Sequence, residues 1–364
     1  MSDISENGAQ SPIRGFGSNL SHKCIIYLNR EVSFTYSAKV SRKMIHYILE
    51  KILRTLIVFF IMSILFFALY SAIAADAVGS DVEPSVVEAP YSATYANSHH
   101  TGPTYIGYVR WMSAMFRLDF GRSSRYQCPA IDAVRLPFIF TVKMNIFAVL
   151  LGLLIATPLG ISSAVKKDSL FDNIIKAVST VMHNTPVFIL TLVIMYFFGV
   201  KWKLFPLNGM ETLYFKGTAM ELWLDRLKHL VLPLFVMTIV SICGLVGYVR
   251  AAMKEVLAQG YVKTAYAKGL GEKTVILSHA WKNALFSLLA VIVRWVKNLF
   301  FASFVIESMF NLNGVGKLYF DSLFAKDYSV VLAILILIVF FSLVGNLLMA
   351  LGWGIANPRI RINE

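Results

Sequence analysis

Six apolar runs, each long enough to cross a lipid bilayer, constrain this chain more than any other feature of its sequence. A spanning helix needs about 20 apolar residues, because each residue of an α-helix rises about 1.5 Å. Polar segments separate the six runs, which are residues 55–75, 144–165, 174–200, 230–249, 285–306 and 330–355. The pattern predicts an all-α polytopic membrane protein with six transmembrane helices.

Composition supports the same fold class. The chain is 57% hydrophobic and 15% charged, whereas soluble domains are about half apolar and about a quarter charged. The first run is too long for the apolar part of a signal peptide, which has about 7–15 residues, and it follows some fifty residues of chain. The third run is the weakest of the six, since polar residues and Pro186 interrupt it.

Lys and Arg residues predict the orientation in the membrane. Six spans place both termini on one side, and that side carries 19 Lys and Arg against 12 on the other. We therefore expect both termini, and the loop between the fourth and fifth spans, in the cytoplasm. Attraction to anionic lipid accounts for much of the net charge of +13, so no nucleic-acid partner is required.

The chain divides into a tail and a membrane domain. Residues 1–45 are rich in Ser, Asn and Gly without sustained periodicity, which is typical of a flexible, here cytoplasmic, N-terminal tail. Residues 46–364 form the six-span domain, with an outer loop at 76–135 in which residues 105–118 have the pattern of an amphipathic helix. His99 and His100 lack a neighbouring Cys or carboxylate cluster, so no metal site is predicted.

One polar segment, residues 261–285, interrupts the apolar second half of the chain. It carries four lysines against one acid, Glu272, and its two glycines, Gly269 and Gly271, lie between helix-forming stretches. The pattern predicts a helix, a glycine turn and a second helix in water between two spans. By itself it fits either a contact site for another protein or a solvated helical hairpin.

Two cationic residues lie within the fifth run. Arg294 and Lys297 are three residues apart, and Asn298 and Phe301 extend the same helical face. Ionisable groups at such depth usually face a bundle interior or an aqueous path. We therefore expect this face to line a translocation path for a ligand bearing carboxylate or phosphate, or to form a salt bridge with a partner subunit.

Missing motifs restrict the source of energy for transport. The chain has no G-x-x-x-x-G-K-[ST] phosphate loop and no H-E-x-x-H, C-x-x-C or G-x-S-x-G motif. It is therefore not expected to hydrolyse ATP or peptides itself. An ion-coupled carrier usually needs titratable acids in its spans, and the six runs contain none. Energy supplied by a partner is favoured, with an ion-coupled secondary carrier as the alternative.

The order and spacing of residues in the polar segment resemble a known motif. The residues that carry it are Tyr261, Thr264, Ala265, Ala267, Lys268, Gly269, Leu270, Val275, His279, Ala280, Asn283, Ala284 and Leu285. They resemble the cytoplasmic coupling motif in the integral-membrane subunits of ATP-binding cassette importers, in the oligopeptide, dipeptide and nickel permease family. Further matches include Leu232-Pro233, Glu307 to Phe310, and Gly314-Val315-Gly316.

The resemblance implies the type I importer permease fold and a coupling role for the loop at 250–284. In such importers a short cytoplasmic helix lies in a groove of the ATPase subunit. The expected coupling residues are Tyr261, Thr264, Ala265, Ala267, Lys268, Gly269, Leu270, His279 and Asn283. Gly269 would form the turn, Ala265, Ala267 and Leu270 an apolar contact surface, and Lys268 and His279 would pair with acids or helix ends.

The resemblance also implies partners and a location. A second related permease subunit, two ATPase subunits and an extracytoplasmic binding protein are expected, in a bacterial inner membrane. This chain would bind no cofactor and no metal, since ATP and Mg are used by the partner subunits. The expected substrate is a short peptide, and nickel or another small solute is the alternative. The family's substrate is less safely carried over than its fold, because the large and charged residues near Arg294 depart from the small residues usual in the family.

Overall fold

The computed structural model describes residues 48–69 and 104–356, and within these ranges it contains helices, turns and no β-strand. Residues Thr55–Met349 form one compact unit. The described residues 48–54 and 350–356 belong to a second unit and are helical. The predicted tail at 1–45 lies outside the described residues, as does the outer loop up to residue 103, which contains His99 and His100.

Eleven α-helices are present in the described ranges. In chain order they are α1 (Ile48–Leu69), α2 (Thr104–Phe116), α3 (Ala130–Val165), α4 (Leu170–Asn184), α5 (Val187–Ile194), α6 (Ala219–Leu257), α7 (Gly260–Ala267), α8 (Glu272–Thr274), α9 (Lys282–Met309), α10 (Val315–Phe324) and α11 (Tyr328–Ala356). Two π-helical stretches extend them. Met195–Lys201 follows α5, and Val275–Trp281 joins α8 to α9.

Four of these helices, α1, α3, α6 and α11, are long and apolar enough to cross a membrane. The pair α4 and α5 passes the same test together, so the described residues give up to five candidate spans. The predicted fifth span at 285–306 lies within α9, which has 28 residues. Most side chains from residue 286 to 300 lie outside the described part of the chain.

The third predicted span, 174–200, is bent where polar residues and Pro186 interrupt it. It consists of α4 and the helix beginning at Val187, which meet at 106°. Thr185 ends α4 with extended backbone angles (φ −74°, ψ 127°), because the residue before a proline is disfavoured in the α conformation. Pro186 then stands before the first turn of the next helix, where its missing N–H is tolerated.

Two other helices are longer than their apolar runs. α3 has 36 residues and α6 has 39, whereas the runs within them were placed at 144–165 and 230–249. α6 begins earlier because Thr218 and Glu221 form a reciprocal capping box at its N-terminus. It also continues past Arg250 to Leu257, so the predicted loop at 250–284 begins within a helix.

The largest core lies where α3, α5, α6 and α9 meet. α3 and α6 pack along one another, and buried Met144, Leu232, Met237 and Phe310 belong to this core. The helix predicted at 105–118 is present as α2, and its buried side includes Trp111, Met112 and Met115. Tyr105 and Phe116 of the same helix are exposed.

Candidate functional site

The polar segment folds as the predicted helix, glycine turn and helix. α6 ends at Leu257, and after extended Gln259 the chain forms α7. At the end of α7, Gly269 donates its N–H to the Tyr266 carbonyl at 2.9 Å and Leu270 donates to the Ala265 carbonyl at 3.4 Å. This pair of bonds is the Schellman pattern that ends many helices.

Gly269 adopts a conformation that other residues rarely adopt. Its φ is +79°, in the left-handed region, which costs L-residues about 1–2 kcal/mol. A Cβ added there would meet no atom within 4 Å. The requirement for glycine therefore comes from the backbone of the turn, and the space beside it is open.

Small apolar side chains anchor the segment to the rest of the chain. Val262 and Ala265 of α7 and Val275 and Ala280 of the following stretch are buried. They share one cluster with the end of α3 and the last turns of α6, which we call the anchor cluster. Its buried members are Ala164, Val249, Ala252, Met253, Val256, Val262, Ala265, Val275, Ala280, Ala284 and Leu288.

The burial of Ala265 corrects one prediction. We expected its side chain on a contact surface, but it is only 7% exposed. Val262 and Ala265 are three residues apart and therefore lie on the same face of α7, which packs on the anchor cluster. Ala265 can support a contact surface only from behind.

The remaining predicted coupling residues lie on the accessible side. The exposed residues are Tyr261, Thr264, Ala267, Lys268, Gly269, Leu270, His279 and Asn283. Asn283 donates to the His279 carbonyl at 2.8 Å within its own helix. The segment thus presents an apolar and basic surface on a support of buried alanine and valine.

The segment is continuous with a long helix. α8, the π-helical stretch Val275–Trp281 and α9 follow one another without a break, from Glu272 to Met309. π-helical turns within α-helices occur often at functional sites. Continuous helical backbone therefore joins the polar segment to α9.

The predicted path residues lie on α9. The backbone positions of Arg294, Lys297 and Asn298 are helical, but their side chains lie outside the described part of the chain. Phe301, on the same predicted face, is 64% exposed. The choice between a translocation path and a subunit interface therefore stays open for this face.

The Glu307 carboxylate at the other end of α9 is buried, which the sequence did not predict. Glu307 is fully buried, and its Oε2 accepts the Gly316 N–H at 2.7 Å. The Val315 N–H donates to the Thr141 hydroxyl at 2.9 Å, so both amides at the start of α10 are bound. Glu307 lies just beyond the apolar run at 285–306, which itself contains no acid.

Comparison with known proteins identifies the family. Residues 156–362, more than half of the chain, match the family described as "Binding-protein-dependent transport system inner membrane component". The chain belongs to this family. The match includes the polar segment and confirms the importer permease family predicted from it.

Similar proteins in this family cover most of the chain. Oligopeptide transport system permease protein AppB of Bacillus subtilis (strain 168) is 30% identical over 86% of this chain and 98% of its own length. Dipeptide transport system permease protein DppB of Escherichia coli (strain K12) is 27% identical over 71% of this chain and 81% of its own. Oligopeptide transport system permease protein OppB of Haemophilus influenzae is 27% identical over 87% of this chain and 100% of its own length.

A solved structure described as an amino acid ABC transporter with histidines has a TM-score of 0.45 to this chain. It is 14% identical and covers 59% of this chain and 90% of its own. As a member of this family, the chain is a multi-pass membrane transport subunit and not an enzyme. Such a component works with a binding protein and with ATPase subunits.

Proposed function

We propose that this chain is the membrane permease subunit of an ATP-driven importer of short peptides. It forms half of the translocation path, and the polar segment couples that path to an ATPase subunit. The peptide substrate is supported by the names of its relatives, which are oligopeptide and dipeptide permeases. Nickel or another small solute is the alternative cargo for the same architecture.

The coupling role is supported by the way in which the polar segment is attached to its neighbouring helices. α7 follows α6 after two residues, and α8 leads without a break into α9. The anchor cluster holds α7 from behind, while its other side is exposed. A partner that moves this surface therefore moves two long helices together, as rigid-body switching requires.

The exposed residues suit a groove on an ATPase. Tyr261 and Leu270 are 45% and 39% exposed, and they provide apolar contact area beside small Ala267. Lys268 and His279 supply positive charge for acidic side chains of the partner. Gly269 keeps the turn narrow, so that the partner can approach the backbone closely.

The assembly that we propose contains a second permease subunit, two ATPase subunits and an extracytoplasmic binding protein. ATP and Mg bind to the ATPase subunits, which supply the energy of hydrolysis. The excess of Lys and Arg supports an inner-membrane orientation with both termini in the cytoplasm. The division that we propose from the sequence is a tail at residues 1–45 and a permease domain at residues 46–364.

Reconstitution tests this function. The complex, purified with its native partners into liposomes, is expected to hydrolyse ATP faster when the binding protein and a short peptide are added, and to accumulate that peptide. Stimulation by nickel or another small solute, with none by any peptide in a panel, would favour the alternative cargo. Uptake driven by an ion gradient without ATP would refute the proposal.

A further inference from the structure

A buried carboxylate ties the turn between α3 and α4 to α6. Asp172, in the first turn of α4, is 0% exposed. Arg250 of α6 donates to it from two nitrogens, Nε to Oδ1 at 2.6 Å and a terminal guanidinium nitrogen to Oδ2 at 2.8 Å. The Asp172–Arg250 pair therefore joins positions 78 residues apart in a fixed, bidentate geometry.

The other partners of Asp172 come from its own hairpin. The Ser163 hydroxyl donates to Oδ1 at 2.5 Å, and the Asp168 N–H donates to Oδ2 at 3.0 Å. Lys176, one turn further along α4, lies 3.2 Å from Oδ2. These contacts, with the Ser169 cap on the Asp172 N–H, hold the turn locally. Within the described part of the chain, Arg250 is the partner of Asp172 that lies outside the α3–α4 hairpin.

Arg250 lies close to the polar segment along the chain. At about 1.5 Å per residue it is about 10 Å from the end of α6 at Leu257. Its neighbours Val249, Ala252 and Met253 belong to the anchor cluster, where they meet Val262 and Ala265 of α7. The Asp172–Arg250 pair therefore connects α4 to the part of α6 that supports α7.

Stability alone is a weak reason for such a pair. Burying two charges costs solvation free energy that their attraction often only offsets, so apolar replacements of buried ion pairs are often neutral or stabilising. The bidentate bond to a planar guanidinium is directional, which apolar contacts are not. The pair is thus better suited to fix the relative orientation of α4 and α6.

We infer that the Asp172–Arg250 pair is a positioning element that makes α4 move with α6 when an ATPase displaces the polar segment. This inference rests on the proposed coupling function. Since α4 leads to the 106° bend before Val187, the pair extends the moving body from the helices next to the polar segment to the bent span. Breaking it should uncouple ATP hydrolysis from transport.

The test is the number of peptides imported per ATP hydrolysed in the reconstituted complex. Arg250→Lys keeps the charge but loses the bidentate bond, and Arg226→Lys is the matched control. Arg226 is on the same helix and pairs with Glu211 at 2.7 Å, but both side chains are about half exposed. We expect Arg250→Lys to retain bound ATPase subunits and basal hydrolysis, and to lose about fivefold or more in peptides per ATP. Arg226→Lys should match the wild type.

A second variant covers the case in which a buried lysine prevents folding. Asp172→Asn with Arg250→Gln leaves no buried charge and is expected to show the same loss of coupling in an assembled complex. Wild-type coupling in this double variant, or failure of both variants to assemble, would overturn the inference. The wild-type complex measured in parallel reports on the proposed function, because absence of its own ATP-driven peptide uptake would refute that function instead.

Discussion

The short helices α7 and α10 are attached to the chain in different ways. α7 is held by two small apolar side chains, Val262 and Ala265, and its other faces are exposed. α10 also buries apolar side chains, but its start is fixed in addition by directional bonds, since Glu307 and Thr141 bind its first two amides. Asp327, just beyond α10, is also buried and accepts hydrogen bonds from the Ser123 hydroxyl and the Arg125 N–H.

The glycines of the two helices also differ in the space beside them. The space beside Gly269, after α7, is open. A Cβ on Gly316 of α10 would lie 2.2 Å from the Phe304 Cα. The comparison indicates that the contacts of α10 are supplied within this chain. α7, in contrast, has an exposed surface on which another protein can pack. Each prediction below tests that difference.

The largest effect is expected at α10. Gly316→Ala places a methyl group against the backbone of α9, and we expect it to cost about 3 kcal/mol or more in stability. Gly247→Ala in α6 is the control, because a Cβ there meets nothing within 4 Å. Thermal unfolding in detergent measures both variants. Equal unfolding temperatures for Gly316→Ala and the wild type would show that α10 is not packed closely against α9.

At α7 we expect loss of function without loss of the fold. Gly269→Val strains the left-handed turn by about 1–2 kcal/mol, yet a Cβ at this position meets no atom within 4 Å. Membrane insertion should be retained, while ATP-dependent peptide uptake should be abolished. Uptake in liposomes and the amount of bound ATPase are the measurements.

Gly271→Val is the matched control for the turn. Gly271 has φ −61° and ψ 144°, a conformation open to any L-residue, and a Cβ there also meets no atom within 4 Å. Most uptake should be retained in this variant. If Gly269→Val imports peptide normally, α7 does not couple the permease to its ATPase.

A smaller effect is expected when the carboxylate at α10 is changed. Glu307→Ala leaves the Gly316 N–H without its acceptor, which costs about 1–3 kcal/mol for a buried group. Glu307→Gln keeps an oxygen for that bond and should be closer to the wild type. The measurement is the unfolding temperature of each variant. A lower value for Glu307→Gln than for Glu307→Ala would show that Glu307 does not fix the start of α10.

The smallest effect is expected on α9 between the two regions. If Arg294 lines the path, Arg294→Ala should reduce uptake of anionic peptides more than that of neutral ones, because one positive charge is lost. Competition assays with peptides of equal length measure the preference. An equal loss for both peptides, accompanied by dissociation of the subunits, would identify a subunit interface.

The sequence predicted the parts of the fold that depend on local pattern. Long apolar runs located α1, α6 and α11, and the two glycines located the turn after α7. The lengths of α3 and α6 were underestimated, because helices can extend beyond the apolar core of a span with capped, polar ends such as Thr218 and Glu221. The bend at Pro186 was visible only as a weakness in the third run.

The sequence predicted where along the chain the candidate site lies, but it did not predict which of its side chains are buried. The segment selected by the motif has the predicted helix, turn and helix, yet which face of α7 packs inward depends on α6 and on Ala164 at the end of α3. The bonds from Asp172 to Arg250 and from Glu307 to the start of α10 depend likewise on tertiary packing. Neither a hydropathy run nor a motif contains that information.

The bend between α4 and α5 limits what can surround it in a membrane. A helix end leaves carbonyls, and a helix start leaves N–H groups, without partners in their own helix. Hydrocarbon tails offer such groups no hydrogen bonds, so broken spans are tolerated only where protein or water covers the break. If the bend lies at the depth of the hydrocarbon, the side of the chain at Thr185 and Pro186 is therefore hydrated or covered by protein and does not face lipid.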